Sequence, residues 1–158
     1  KGVVKDAAPA GWYIGKGTRR ELYRVDGTRS RSGSACLRVD AGEPVGWMSI
    51  GHFPTLEGKE YEFSGWILTE QTAAWDLCTV YFYADAAKIL SEAVHLKAPA
   101  DQPWWTPLRV RLKVPAGAKS FQIMVTQGFP KGTMWVDDLS LRALDTGEEI
   151  VVNGAFER

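Results

Sequence analysis

The sequence predicts an all-β chain, folded as a two-sheet antiparallel β-sandwich, on three observations. Apolar residues recur at every second position in several segments, the period that buries one face of a strand rather than one stripe of a helix. Glycine-containing turns separate these segments: Asp26-Gly27, Arg31-Ser32-Gly33, Glu57-Gly58-Lys59, Pro115-Ala116-Gly117 and Pro130-Lys131-Gly132. The result is a series of about ten short strands, the pattern of a sandwich.

In chain order, short strands are expected over 12–14, 21–25, 35–39 and 45–50. The segment 61–67 puts Tyr61, Phe63 and Ile67 on one side and Glu62, Ser64 and Trp66 on the other. Over 79–84, Val80 and Phe82 form the core set and leave Tyr81 and Tyr83 pointing outward. A strand at 94–97 follows. The segment 108–114 alternates without exception, 121–127 nearly so, and 134–141 closes the series. Only 85–93 reads as a short helix, and Ala86-Ala87 within it serves equally well as a hairpin turn. One domain is expected over 1–150, with 151–158 as its last strand or as the start of a following module.

Composition narrows the partners. Lys plus Arg and Asp plus Glu both number 19, for a formal net charge of +0, so no field favours nucleic acid or an anionic membrane. No apolar run is long enough to cross a bilayer, and Lys1-Gly2-Val3-Val4 lacks the regions of a signal peptide. A start without Met and an abrupt end at Glu157-Arg158 suggest a segment of a longer protein, and a monomer is expected. Cys36 and Cys78 fall on different strand faces by alternation, which predicts two free thiols rather than a disulfide.

Large aromatic rings on the polar side of strands need an explanation other than the core. Trp66, Tyr81 and Tyr83 are such rings, and Trp47, Trp75, Trp104 and Trp105 lie near strand ends or in loops. One face of a pyranose is mostly C–H and packs on an aromatic ring, while its hydroxyls need polar side chains around that ring. Arg109, Arg111, Gln122 and Gln127 supply those partners if they share a sheet face with Tyr81 and Tyr83. Trp12 and Trp135 are assigned to packing. The pattern predicts a site for a polysaccharide or oligosaccharide.

Catalytic groups are sparse. His52 and His95 are the two histidines, and no nucleophile elbow, metal-binding helix motif, phosphate loop or Cys-x-x-Cys pair is present. Glycoside hydrolysis needs two carboxylates across a groove, and nothing singles out a pair among Glu60, Glu62, Asp76 and Asp85. A non-enzymatic role is expected. A protein-contacting or structural sandwich module is the alternative, and a small glycan-active enzyme the third reading.

Four stretches in order resemble bacterial carbohydrate-binding modules of the family 4, 9 and 22 type. They are Arg31-Ser32-Gly33-Ser34-Ala35-Cys36-Leu37-Arg38-Val39, then Leu56 through Trp66, then Trp105-Thr106-Pro107-Leu108 with Val114-Pro115-Ala116-Gly117-Ala118, and Met134 through Leu141 with its Val136-Asp137-Asp138-Leu139 centre. The resemblance implies a jelly roll, an extracellular or cell-surface location, and an accessory place beside a catalytic domain or a tandem module of a glycoside hydrolase. It also implies a structural calcium near the paired aspartates, with Asp138 as ligand together with an Asn-Gly-x-Phe-Glu strand. That motif stands here at the C-terminus, as Asn153-Gly154-Ala155-Phe156-Glu157, and the corresponding N-terminal place of its glutamate is taken by Lys5. Two arrangements follow: calcium on Asp138 and backbone oxygens, or a Lys5 ammonium paired with Asp138 in place of the metal.

Overall fold

The structure, a computed structural model, describes residues 9–15, 18–42, 48–85, 87–125 and 129–157. The expected site residues Trp47 and Gln127, and Lys5, lie outside the described residues. Among those described, ten strands form: β1 (Tyr13–Ile14), β2 (Tyr23–Asp26), β3 (Cys36–Asp40), β4 (Met48–Pro54), β5 (Glu60–Glu70), β6 (Trp75–Tyr83), β7 (Ile89–Ala98), β8 (Thr106–Lys113), β9 (Ser120–Val125) and β10 (Thr133–Ala143). They make two five-stranded antiparallel sheets, a first ordered β1-β4-β9-β6-β7 and a second ordered β2-β3-β10-β5-β8. This is the sandwich that the alternation predicts, in the jelly-roll form that the resemblance implies.

The core lies between the sheets and is built from the inward set of each strand. Tyr61, Phe63 and Ile67 of β5 meet Cys78, Val80 and Phe82 of β6, with Phe121, Ile123 and Val125 from β9 and Met134, Val136 and Leu141 from β10. Phe121 packs on both Tyr61 and Phe53, at centroid distances of 5.3 and 5.6 Å. The one polar tip in this group is satisfied, because the Tyr61 hydroxyl shares a 2.9 Å hydrogen bond with Thr55.

One local expectation changes, and one alternative left open is decided. The predicted strand at 21–25 begins as a 3-10 turn, Arg20–Leu22, closed by Leu22 N–H donating to the Arg19 carbonyl, and only then extends as β2. The segment after β6 is a hairpin turn and not a helix. The Asp85 carboxylate accepts from the Ala87 and Lys88 backbone N–H groups, both at 2.9 Å, and holds the chain in a turn that a helix would open. Both cysteines are free and buried, Cys78 in the core and Cys36 on the outer side of the second sheet, as alternation requires.

The C-terminal stretch folds back without forming a strand. Phe156 is 0% exposed and packs on Trp12 at 5.2 Å, while the Trp12 indole donates to the Asn153 carbonyl at 3.2 Å. Gly154 makes this approach sterically feasible: its carbonyl accepts from Leu139 N–H at 2.9 Å, and a Cβ there would lie 1.8 Å from the Leu139 carbonyl oxygen.

Candidate functional site

The outer face of the first sheet carries the candidate site. On β6 the residues Thr79, Tyr81 and Tyr83 alternate with the core residues Val80 and Phe82 and so face outward. Pairing brings Thr79 opposite His95 of β7 and Met124 of β9, and Tyr81 opposite Gln122. Irregular register near Asp76 and Cys78 turns the start of β6, so that both Trp75 and Asp76 border the same depression. The depression has a volume of about 400 Å³ and is lined by Trp75, Asp76, Thr79, Tyr81, His95 and Lys97, with Ala74 and Met124 completing it.

Polar groups around these rings are organised. Thr79 Oγ1 and His95 Nδ1 share a 2.9 Å hydrogen bond, with the Asp76 carboxylate 4.0 Å from the same nitrogen. The Tyr83 hydroxyl donates to Gln122 Oε1 at 3.0 Å, and Gln122 Nε2 donates to Ser49 Oγ at 3.1 Å. Gln122 thus has a fixed amide orientation and shares the outer face of Tyr81 and Tyr83.

Tyr83 differs from its expected role. It faces outward but is only 9% exposed, because His52 covers it edge-on at a centroid distance of 4.4 Å. Burial, with the neighbouring Tyr81 phenol, pushes its hydroxyl above the usual tyrosine range. Tyr83 is therefore a support that holds Gln122, and the exposed edge belongs to His52. His95 and His52, read from sequence as structural histidines, both stand on the site face; no pattern along the chain marks them, since pairing with Thr79 and packing on Tyr83 are contacts between strands.

The remaining candidates occupy the other sheet. Trp66 of β5 lies on the outer face of the second sheet, under the Arg31 guanidinium at 4.0 Å. It shares no face with Tyr81. Arg109 and Arg111 of β8 also sit there, at 3.6 and 3.9 Å from the Glu62 carboxylate, so they supply no hydrogen bonds to the depression. Trp105 packs on Cys36, Leu68 and Trp135, also outside the second sheet, and Trp135 is covered by Arg29 and Arg38. Trp104, 62% exposed, stands in the connection before β8. Strand alternation separates inner from outer residues correctly; it does not say which outer face.

The paired aspartates form a different kind of structure. Asp137, 0% exposed, accepts from the backbone N–H groups of Arg31 (2.7 Å), Ser32 (3.1 Å) and Asp138 (2.8 Å), and burial raises its pKa despite them. Asp138 accepts from the Ser32 hydroxyl at 2.5 Å and from Arg31 at 3.3 Å. Glu157 accepts from Ser34 and Ala35 N–H, at 2.8 and 3.2 Å, and from the Ser34 hydroxyl. Gly33 is required beneath it: at φ +58 it adopts the left-handed conformation, and a Cβ would lie 2.1 Å from Glu157 Oε1. Protein donors occupy the carboxylate oxygens of Asp137, Asp138 and Glu157, Arg31 brings a positive charge beside Asp138, and among the described residues no group of three His, Cys, Asp or Glu is clustered.

Other carboxylates set the acid limit of the fold. Burial raises Asp40, but hydrogen bonds from Arg24 and Arg38 outweigh it and hold the group below its usual range. Asp26 behaves alike: burial is outweighed by Thr28 and by the Trp135 indole, which donates at 2.9 Å. A carboxylate with a lowered folded pKa contributes stability above the unfolded value, and that contribution is lost as pH falls. Asp137 has the opposite sign, its contribution being lost as pH rises. Lowered carboxylates, Asp26 and Asp40 together with the exposed Glu21, Asp85 and Glu157, oppose the raised Asp137, so the melting temperature is expected to fall on acidification from about pH 5 to about pH 3. Thermal melts across that window check this, and a rise would show that Asp137 dominates.

No family model and no curated protein matches the chain. Solved structures do. The bacteriophage CBA120 tailspike protein 4 enzymatically active domain aligns with a TM-score of 0.65 and 13% identity over 85% of this chain, which spans 20% of that protein. The C-terminal family 22 carbohydrate-binding module of Clostridium thermocellum Xyn10B gives 0.65 and 13% over 88% of this chain and 89% of the module. TmCBM61, solved with β-1,4-galactotriose, gives 0.53 and 14% over 85% of this chain and 90% of its own. The chain shares the jelly-roll fold of carbohydrate-binding modules.

Proposed function

We propose that the outer face of the first sheet binds a polysaccharide or oligosaccharide without transforming it. The observation that carries this reading is the 400 Å³ depression in which the rings of Trp75 and Tyr81 stand beside Thr79, His95, Asp76 and Lys97. Rings for C–H faces and polar groups for hydroxyls are what a sugar requires. Asp76 is the one carboxylate lining the depression among the described residues, whereas hydrolysis uses two. Structural neighbours named as xylan-binding domains and a galactotriose complex support the same reading. Its biological setting is an accessory module of a larger extracellular glycan-degrading protein. Affinity electrophoresis in gels containing xylan or β-1,4-galactan, followed by a glycan array, tests it: retardation or array binding is expected, and no binding across the panel would transfer the site to a protein partner.

We propose further that the Asp137–Asp138 region is held by Arg31 and by backbone donors and not by an ion. Calcium added after chelation is then expected to leave the melting temperature unchanged. A rise would assign the metal to Asp138 and require Arg31 to move aside.

A further inference from the structure

We infer that Asp101 and Thr69 are positioning residues for the glycan site, holding the Trp75 ring at the rim of the depression through a clamp between two loops; the inference rests on that depression being the glycan site. The loop 71–74 carries the chain from β5 in the second sheet to β6 in the first, and the loop 99–105 carries it back from β7 to β8. Hydrogen bonds tie the two crossings together. Thr69, 0% exposed near the end of β5, donates its N–H to the Gln102 carbonyl at 2.8 Å. Its hydroxyl accepts from Gln102 N–H at 2.6 Å and donates to the Pro99 carbonyl at 3.2 Å. Asp101 Oδ1 accepts from Gln71 N–H at 3.1 Å, and Asp101 N–H donates to the Thr72 hydroxyl at 3.4 Å.

Trp75 follows Thr72 after Ala73-Ala74, and it pairs with Ala98, the residue before Pro99. The register is irregular between Asp76 and Cys78, so regular alternation along β6 does not aim the Trp75 ring; the anchored loop before it does. Gln71 at φ 57 and Asp101 at φ 42 occupy the left-handed region although neither is glycine. Such residues persist where their surroundings enforce them, and they cluster at sites that hold ligands. Gly132 closes the clamp from a third element: a Cβ there would lie 2.3 Å from the Glu70 carbonyl oxygen and 2.6 Å from that of Gln71. Closing the edge of a sandwich demands no particular orientation of a rim ring, whereas stacking a sugar requires it to be held within about 0.5 Å.

Affinity electrophoresis in graded xylan and β-1,4-galactan, with thermal melts of the same proteins, tests this in a double-mutant cycle. Asp101→Ala is expected to weaken binding by about fivefold at a nearly unchanged melting temperature, the effect of one lost orienting hydrogen bond. Asp101→Asn keeps an oxygen acceptor for Gln71 N–H and should restore wild-type binding. In a Trp75→Ala background, Asp101→Ala should have no further effect on affinity, because the ring it positions is gone. If Trp75→Ala by itself abolishes retardation, the split between affinity and melting temperature in Asp101→Ala decides alone. Equal losses in both backgrounds, or unchanged affinity of Asp101→Ala whatever its melting temperature, would overturn the positioning role and leave the depression as the site. If neither polysaccharide retards the wild type, site and clamp role fall together.

Discussion

Phe156→Ala is expected to destabilise the fold by about 3–5 kcal/mol, the cost of removing a fully buried phenylalanine from a core that refills only in part. Phe156 is 0% exposed and contacts Trp12, whose indole is in turn fixed by the Asn153 carbonyl. The lost ring therefore leaves a void beside an aromatic partner, and the aromatic contact is lost with it. For a domain of this size 1 kcal/mol moves the midpoint by roughly 2–4 °C, so the melting temperature should drop by about 6–20 °C. Against a total stability of about 5–15 kcal/mol this is a severe change. Denaturant unfolding of the variant decides it. A loss under about 1 kcal/mol would mean that the C-terminal stretch only rests on the sandwich.

Tyr81→Ala and Trp75→Ala are each expected to reduce glycan affinity by tenfold or more, about 1.4 kcal/mol or above, with a small change in melting temperature for Tyr81→Ala and a larger one for Trp75→Ala. Both rings are half-buried at the rim of the depression, but Trp75 also packs against the core, which Tyr81 does not. Tyr83→Phe separates support from contact. It keeps the ring under His52 but removes the hydroxyl that orients Gln122, so a modest affinity loss is expected with stability nearly retained. Trp66→Ala serves as the control, since Trp66 lies under Arg31 on the opposite sheet. Should Trp66→Ala abolish binding while Tyr81→Ala does not, the site belongs to the second sheet.

Strand alternation alone is enough to read the sandwich and its inner and outer sides. The period of two is a property of the extended backbone, so Val80 and Phe82 must oppose Tyr81, and Cys36 and Cys78 must not meet, whatever the strands pair with. The hairpin after β6 was half legible, because Asp85 belongs to the residues that bind their own backbone in turns.

The site was legible only as a set of outward rings. Which rings share a face depends on strand order, and β5 and β6, neighbours in sequence, fall in different sheets, so Trp66 and Tyr81 part company. What covers a ring is equally non-local: His52 reaches Tyr83, Arg31 reaches Trp66, and the Ser32 hydroxyl reaches Asp138 across long stretches of chain. The sequence by itself determined the fold class and the in–out phase of the regularly alternating strands, because both follow from backbone geometry within a few residues. Only the tertiary structure decided the face and the cover, because those follow from pairing between strands distant in the chain.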